Sequence, residues 1–231
     1  ENGNNLKAFA VCMLISAAIG IVNGLGIYFL QIPAMIMTLA TGYAVWGIAY
    51  IYCNGAPKGR SSEFVSFLAN QKIGGVINGV TLIWIILTVV VVVMMTKSVF
   101  GRSLYAIGVN KTASNYSGIS AAKMYIGVYL IAALLAGLAG YLFLGYTGTS
   151  YLSTAESYNM DSIASVVIGG TSVMGGSGSY IGTIGGVGIM VILSSLMTVL
   201  NMAESGKQMA QGAIIIIVLL FVYAKRGRKE S

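Results

Sequence analysis

The stretch VINGVTLIWIILTVVVVVMMT, residues 76–96, decides the fold. It holds no charge, runs through five valines from Val89 to Val93, and ends against Lys97. About 20 apolar residues in a helix span the hydrocarbon core of a bilayer. Working outward, the same charge-free pattern recurs between Lys7 and Lys58 and over 124–155, 162–203 and 208–224. The first of these blocks is long enough for two spans, 8–29 and 33–53, broken at Gln31-Ile32-Pro33. Proline at a helix start costs little, because its missing N–H would be unpaired there anyway. Further spans are expected at 125–146, 181–202 and 208–224, with a short apolar stretch at 162–174.

Composition agrees. Hydrophobic residues make up 57% of the 231 and charged residues 8%, against about 25% charged in an ordinary soluble domain; the mean hydropathy is +0.85. There is no histidine, Asp161 is the one aspartate, and Cys12 and Cys53 lie in apolar stretches without a C-x-x-C spacing. Most catalytic and metal-binding constellations are thereby excluded, and no cofactor is expected on this chain. The cysteines read as small buried side chains, which leaves the redox compartment unassigned. The expected fold is an all-α polytopic membrane helix bundle with about seven crossings, one of them a short broken helix at 162–178, forming a single transmembrane domain over 1–231.

Charge parity sets the orientation. The loop 97–123 carries Lys97, Arg102, Lys111 and Lys123 and no acid, and the tail 225–231 carries Lys225, Arg226, Arg228 and Lys229. Basic residues concentrate on the cytoplasmic side, so both segments are expected there, with an even number of crossings between them. Spans 125–146, 181–202 and 208–224 supply three, so 162–174 must supply the fourth. The N-terminal end then lies outside and the C-terminus inside. Lys7, Lys58, Arg60, Lys72 and Lys207 fall outside, fewer than the eight basic residues inside.

Thirteen to fifteen helical residues rise only about 20 Å, short of a core about 30 Å thick. The Gly-rich run Gly169-Gly170-Thr171-Ser172-Val173-Met174-Gly175-Gly176-Ser177-Gly178-Ser179 must supply the rest. Irregular backbone at this depth survives only inside protein or along a wet cavity, as in the broken helices of transporters. The other reading is that the glycines simply let helices approach closely. Glu156 and Asp161 flank the short span on the outer side, where Asp161 is expected either to cap the helix beginning at Ser162 or to touch a solute.

Several motif-like strings carry no chemistry. Gly175-Gly176-Ser177-Gly178 matches the nucleophile string of intramembrane serine proteases, but no histidine exists to take a proton. One aspartate cannot form an aspartyl dyad. The sequons at Asn110 and Asn115 fall in the cytoplasmic loop. Gly20/Gly24 and Gly182/Gly186 fit G-x-x-x-G, a spacing that 31 glycines produce by chance. No phosphate-cradling P-loop is present, and no span carries an ionisable group away from its ends, so the energy for any transport should come from another subunit.

The loop 97–123 is more than a linker. Beside its four cations it displays Phe100, Leu104, Tyr105, Ile107 and Tyr116, an apolar surface rimmed by charge of the kind that marks a docking face. A short helix bounded by Gly108 and Gly118, with Asn110 as its N-cap, is expected there. The run Gly101-Arg102-Ser103-Leu104-Tyr105-Ala106-Ile107-Gly108-Val109-Asn110, followed by Ser117-Gly118-Ile119, resembles the G-R-x-x-Y-A-x-G-x-N and S-G-I of permease subunits of ATP-binding-cassette importers, in the branch handling ribose and related simple sugars. The stretch from Asp161 through Gly169-Gly170-Thr171-Ser172 and Gly175-Gly176-Ser177-Gly178 to Gly182-Thr183 is similar to a second signature of that branch. The likeness covers essentially the whole chain, and the G-G-T-S form resembles the sugar branch more than the branched-chain amino-acid branch.

The resemblance implies a non-catalytic subunit that passes a ribose-like monosaccharide across a bacterial cytoplasmic membrane. It implies that 97–123 forms a coupling loop, with a helix about 110–118 seated in a groove of a separate ATPase that carries ATP and magnesium. The interface would comprise Gly101, Arg102, Tyr105, Gly108, Asn110, Lys111, Ser114, Ser117 and Gly118. The translocation path would draw on Asp161, Gly169, Gly170, Thr171, Ser172, Gly175 and Gly176. Implied partners are the ATPase, an extracytoplasmic solute-binding protein delivering sugar to an outer face that includes 54–75 and 147–161, a second permease subunit and the lipid bilayer, with no nucleic acid. Relatives usually have about three more spans ahead of the point where this chain begins, so it resembles an N-terminally truncated piece. Lys111-Thr112-Ala113-Ser114 also replaces the family's usual acidic residue and two alanines, a difference bearing on which ATPase is accepted. Alternatives are a nucleoside or branched-chain amino-acid permease of the same family and, from another class, an autonomous channel or secondary carrier.

Overall fold

A computed structural model describes residues 5–56, 59–73, 77–151, 154–173, 175–203, 205–214 and 216. Its helices are α1 (Asn5–Phe29), α2 (Ala34–Tyr52), α3 (Glu63–Asn70), α4 (Gly79–Lys97), α5 (Val99–Val109), α6 (Lys111–Tyr116), α7 (Ala121–Thr147), α8 (Thr154–Ile168) and α9 (Tyr180–Val199), and 205–214 are also helical. Two short strands, β1 (Lys72–Ile73) and β2 (Ile77–Asn78), pair as an antiparallel hairpin. Five of the described helices, α1, α2, α4, α7 and α9, are long and apolar enough to cross a membrane. The chain is an all-α polytopic membrane protein. The five long spans expected from the charge gaps are present within a few residues of their predicted ends. Of the expected span at 208–224 only the first part lies among the described residues, and the basic tail 225–231 lies outside them.

The chain forms two compact units. The first comprises Glu1–Val90 and Thr112–Leu152. Its main seam is α1 against α7, and glycine makes it. A Cβ on Gly20 would lie 2.6 Å from the Tyr129 carbonyl oxygen, and one on Gly24 would lie 2.7 Å from the Ile126 Cα. The Gly20/Gly24 spacing is therefore used within the chain, to bring two helices to backbone contact by dispersion where lipid offers no hydrophobic drive. Phe9 and Tyr141 extend the seam edge to face at 5.2 Å. The helix α2 is joined to α1 by the Thr41 hydroxyl, which donates to the Asn23 side-chain oxygen at 2.7 Å. Its large apolar side chains, among them Met35, Trp46 and Ile48, are exposed; on a spanning helix such a surface suits lipid.

The expected break between the first two spans falls at Leu30–Pro33, where Gln31 takes φ 53° and Pro33 stands at the N-cap position of α2. The outer loop expected over 54–75 contains structure that its short length hid. Ser62 caps α3, and Val65 and Ala69 bury against Gly145 of α7. Asn70 donates its amide to the Gly145 carbonyl at 3.1 Å, and Ser61 N–H donates to the Gly148 carbonyl at 2.9 Å.

The second unit comprises Val91–Lys111 and Ser153–Ser231. Here the helix expected at 162–174 is displaced toward the N-terminus: α8 runs over Thr154–Ile168 and ends before the glycine run. Asp161 accordingly lies midway along a helix and not at its start. The stretch 154–161 reads as a loop because it carries the acids Glu156 and Asp161, yet nothing in it breaks a helix, whereas Gly170 at φ +84° does. Gly170 N–H donates to the Val167 carbonyl and Thr171 N–H to the Val166 carbonyl, the paired bonds of a Schellman stop.

Candidate functional site

The run Gly101–Asn110 and the second signature meet in the second unit. Ser98, at extended backbone angles, caps α5 by accepting the Gly101 N–H at 3.1 Å. Gly101 is buried where a Cβ would strike the Met95 carbonyl, so this glycine sets the tight elbow between α4 and α5. Arg102 is exposed, its guanidinium donating to the Lys97 carbonyl at 3.5 Å. The helix α5 itself was not foreseen; the serine at 98, three residues before Gly101, was the available signal.

Tyr105 projects from α5 to the glycine run, and its hydroxyl donates to the Gly178 carbonyl at 2.9 Å. One turn on, Gly108 abuts the same run: a Cβ there would lie 2.5 Å from the Gly176 nitrogen and 2.9 Å from its Cα. The run closes on itself through Ser172 N–H to the Ser177 carbonyl at 2.9 Å and Gly175 N–H to the Ser172 carbonyl at 3.0 Å. Gly175 and Gly176 sit at φ +88° and +75°, in the left-handed region where a side chain is strained. The run thus satisfies part of its own backbone.

The α8–α9 seam lies beside this turn. A Cβ on Gly182 would strike the Gly169 carbonyl, and one on Gly186 would strike the Ser165 carbonyl. The Gly182/Gly186 spacing is again an internal helix contact. The glycines divide by residue: Gly169 permits close approach, while Gly170, Gly175 and Gly176 supply non-helical backbone. Ser165 is buried and its hydroxyl donates to the Asp161 carbonyl at 2.7 Å. Thr171 and Ser172 are half-buried, Thr171 with its side chain against Gly178.

The remaining candidate residues stand on or beside α6. Asn110 is extended, as an N-cap position requires, and its N–H ends α5 on the Ala106 carbonyl. The short helix expected at about 110–118 is α6, Lys111–Tyr116. It stops at Gly118, φ +82°, whose N–H donates to the Asn115 carbonyl while Ile119 N–H donates to that of Ser114. Lys111, Ser117 and Gly118 are exposed, whereas Ser114, which belongs to the first unit, is 5% exposed. Tyr116, at 90% exposed, is the prominent apolar group on this helix. Among the described residues no group of three or more His, Cys, Asp and Glu is placed to hold a metal ion.

Residues 4–219 match the family model described as the branched-chain amino acid transport system / permease component. The chain is 31% identical over 227 residues to the galactose/methyl galactoside import permease protein MglC of Haemophilus influenzae, covering 96% of this chain and 67% of that protein. It is 32% identical over 220 residues to the ribose import permease protein RbsC of Escherichia coli, covering 94% and 68%. Against RbsC of Bacillus subtilis the identity is 33% over 212 residues, covering 90% and 64%. The chain thus spans about two thirds of the length of these relatives. No solved structure matches it. With a match over nearly its whole length, and two signatures that fold onto each other, this chain belongs to the permease-component family of the branched-chain amino acid transport system.

Proposed function

We propose that this protein is the membrane-spanning, non-catalytic subunit of an ATP-driven importer of a ribose- or galactose-like monosaccharide. The observation that carries the reading is the contact of Tyr105 and Gly108 with Gly175–Gly178, which joins the cation-rich loop to the broken span in a chain whose relatives are named as ribose and galactose import permeases. In this reading Arg102, Asn110 and Lys111 of the second unit face a separate ATPase, and so do Ser117, Gly118 and the prominent Tyr116 of the first. The ATP and magnesium reside on the partner. A second permease subunit completes the passage, which 162–178 lines in part, and a solute-binding protein delivers sugar to the outer face. The protein sits in the bacterial inner membrane with 97–123 and the C-terminus in the cytoplasm.

The α5 contact also supports the crossing count. It puts residues 105–109 and 175–178 at one end of the second unit, as an even number of crossings between them requires. The family's description favours a second reading, a permease for branched-chain amino acids.

Affinity purification from native membranes, with and without 110–118 replaced by a Gly-Ser segment, tests the assignment. An ATPase subunit should co-purify and be lost with the replacement. Uptake of labelled ribose, galactose and leucine by the assembled complex then separates the substrates. Flux without an ATPase would refute the importer reading in favour of a channel or carrier.

A further inference from the structure

Tyr105, Gly108 and Val109 lie at i, i+3 and i+4, on one face of α5, and all three meet the turn between α8 and α9. We infer that this face is a latch delivering displacement of α5 to the start of α9, with Tyr105 as its positioning residue; the inference rests on the importer reading above.

Two kinds of contact divide the task. The Tyr105 hydroxyl donates to the Gly178 carbonyl at 2.9 Å, a directional bond that resists separation. The Gly108 backbone bears on Gly176, where a Cβ would lie 2.5 Å from nitrogen, a steric seat that resists compression. A Val109 methyl would lie 2.9 Å from a Cβ on Gly176, closing the seat on its other side. Pulling and pushing on α5 both therefore reach the turn. The point of attachment matters as well. Gly178 immediately precedes Ser179, the N-cap of α9, which accepts the Gly182 N–H at 2.9 Å. Gly182 in turn rests on Gly169 at the end of α8. A force arriving at Gly178 thus acts at the junction of the two helices that flank the glycine run. The bond also supplies a partner for a carbonyl that belongs to no helix, which costs most to leave unpaired at membrane depth.

The test uses the full permease reconstituted with its ATPase in nanodiscs, and reads amide hydrogen exchange over 172–182 with and without a non-hydrolysable ATP analogue. The wild-type turn should change its exchange on nucleotide binding. Tyr105→Phe removes one net hydrogen bond, so the nucleotide-dependent change should shrink by roughly three- to tenfold. Gly108→Ala, which unseats α5, should do the same. The double variant should be no worse than the more severe single one, because both act through one contact. Tyr43→Phe, on the exposed part of α2, should leave the change intact. If the tyrosine only stabilises the fold, Tyr105→Phe will speed exchange equally in both nucleotide states and preserve the difference; that result overturns the latch, as would a wild-type turn insensitive to nucleotide. If no ATPase associates with the wild-type permease, the importer reading fails and the latch falls with it.

Discussion

Substituting Gly20 and Gly24 with alanine tests whether backbone contact, and not chance spacing, holds α1 to α7. The added methyl groups would lie 2.6 Å from the Tyr129 carbonyl oxygen and 2.7 Å from the Ile126 Cα. Bringing these to an ordinary 3.4 Å contact requires the helices to part by about 0.7 to 0.8 Å. The obstructing atoms are backbone, so no rotamer change relieves the overlap. A radial gap of 0.5–1 Å forfeits about a quarter to a half of each atom pair's dispersion energy along the seam, and overpacking of this kind costs about 1–3 kcal/mol. Better helix propensity returns about 0.5–1 kcal/mol for each glycine replaced. The net expectation for Gly24→Ala is a loss of about 0.5–2 kcal/mol. Gly42 on α2 and Gly140 on α7 are internal controls, for a Cβ at either meets nothing within 4 Å. Alanine there should be neutral or stabilising by up to about 1 kcal/mol. Equilibrium unfolding in mixed micelles, followed by the fluorescence of Trp46 and Trp84, measures all four variants. A Gly24→Ala protein as stable as Gly140→Ala would refute the seam.

Four further outcomes are expected. Gly118 has open space around it but φ +82°, so Gly118→Ala should cost about 1–2 kcal/mol through backbone strain alone, and Gly118→Asn less; equal unfolding midpoints would argue against the helix stop. Thr88 has a buried hydroxyl with no partner among the described residues, so the isosteric Thr88→Val should unfold at the same or a higher denaturant concentration. Thr41→Val removes the donor to Asn23 and should destabilise by about 0.6 kcal/mol, the mean for interhelical bonds in membranes; no loss in the same unfolding assay would mean the bond contributes nothing. In a chain with Cys12 and Cys53 replaced, an impermeant maleimide added outside should label Phe64→Cys, 61% exposed on α3, but not Tyr116→Cys, 90% exposed on α6; labelling of the latter would reverse the proposed orientation.

What could be read in the sequence followed one physical rule. A charge cannot be left in hydrocarbon cheaply, so the gaps from Lys7 to Lys58 and from Lys72 to Lys97 mark spans without any tertiary knowledge. The α6 stop was legible for a similar reason, since Gly118 tolerates a left-handed backbone that other residues resist. Asp161 defeated the same reasoning. Treating charge as a boundary places it at a helix end, whereas α8 carries it midway. Helix limits there are set by where the backbone can stop, at Gly170, and charge burial yields to that. The short elements α3 and α5 were illegible because eight and eleven residues give too few turns for a periodic signal.

Glycine shows why the run 169–178 had to be seen to be understood. The run Gly169–Gly178 contains two kinds of site that share one letter. Gly169 lies at the end of α8 and is needed because the α9 backbone, at Gly182, leaves no room for a methyl. Gly170 and Gly175 are needed for their positive φ; a Cβ on Gly170 would meet nothing within 4 Å. Alanine at Gly169 must therefore push α9 away, while alanine at Gly170 strains the turn and leaves the seam intact. Sequence spacing cannot separate these cases, because the partner of Gly169 is another glycine brought to it by folding. The distinction has a functional edge. If the importer reading holds, a seam defect at Gly169 acts on the two helices beside the passage, whereas a turn defect at Gly175 acts on the surface that α5 grips through Gly108. The first should impair sugar passage even when nucleotide still moves the turn; the second should leave the α8–α9 packing intact and disconnect it from the ATPase.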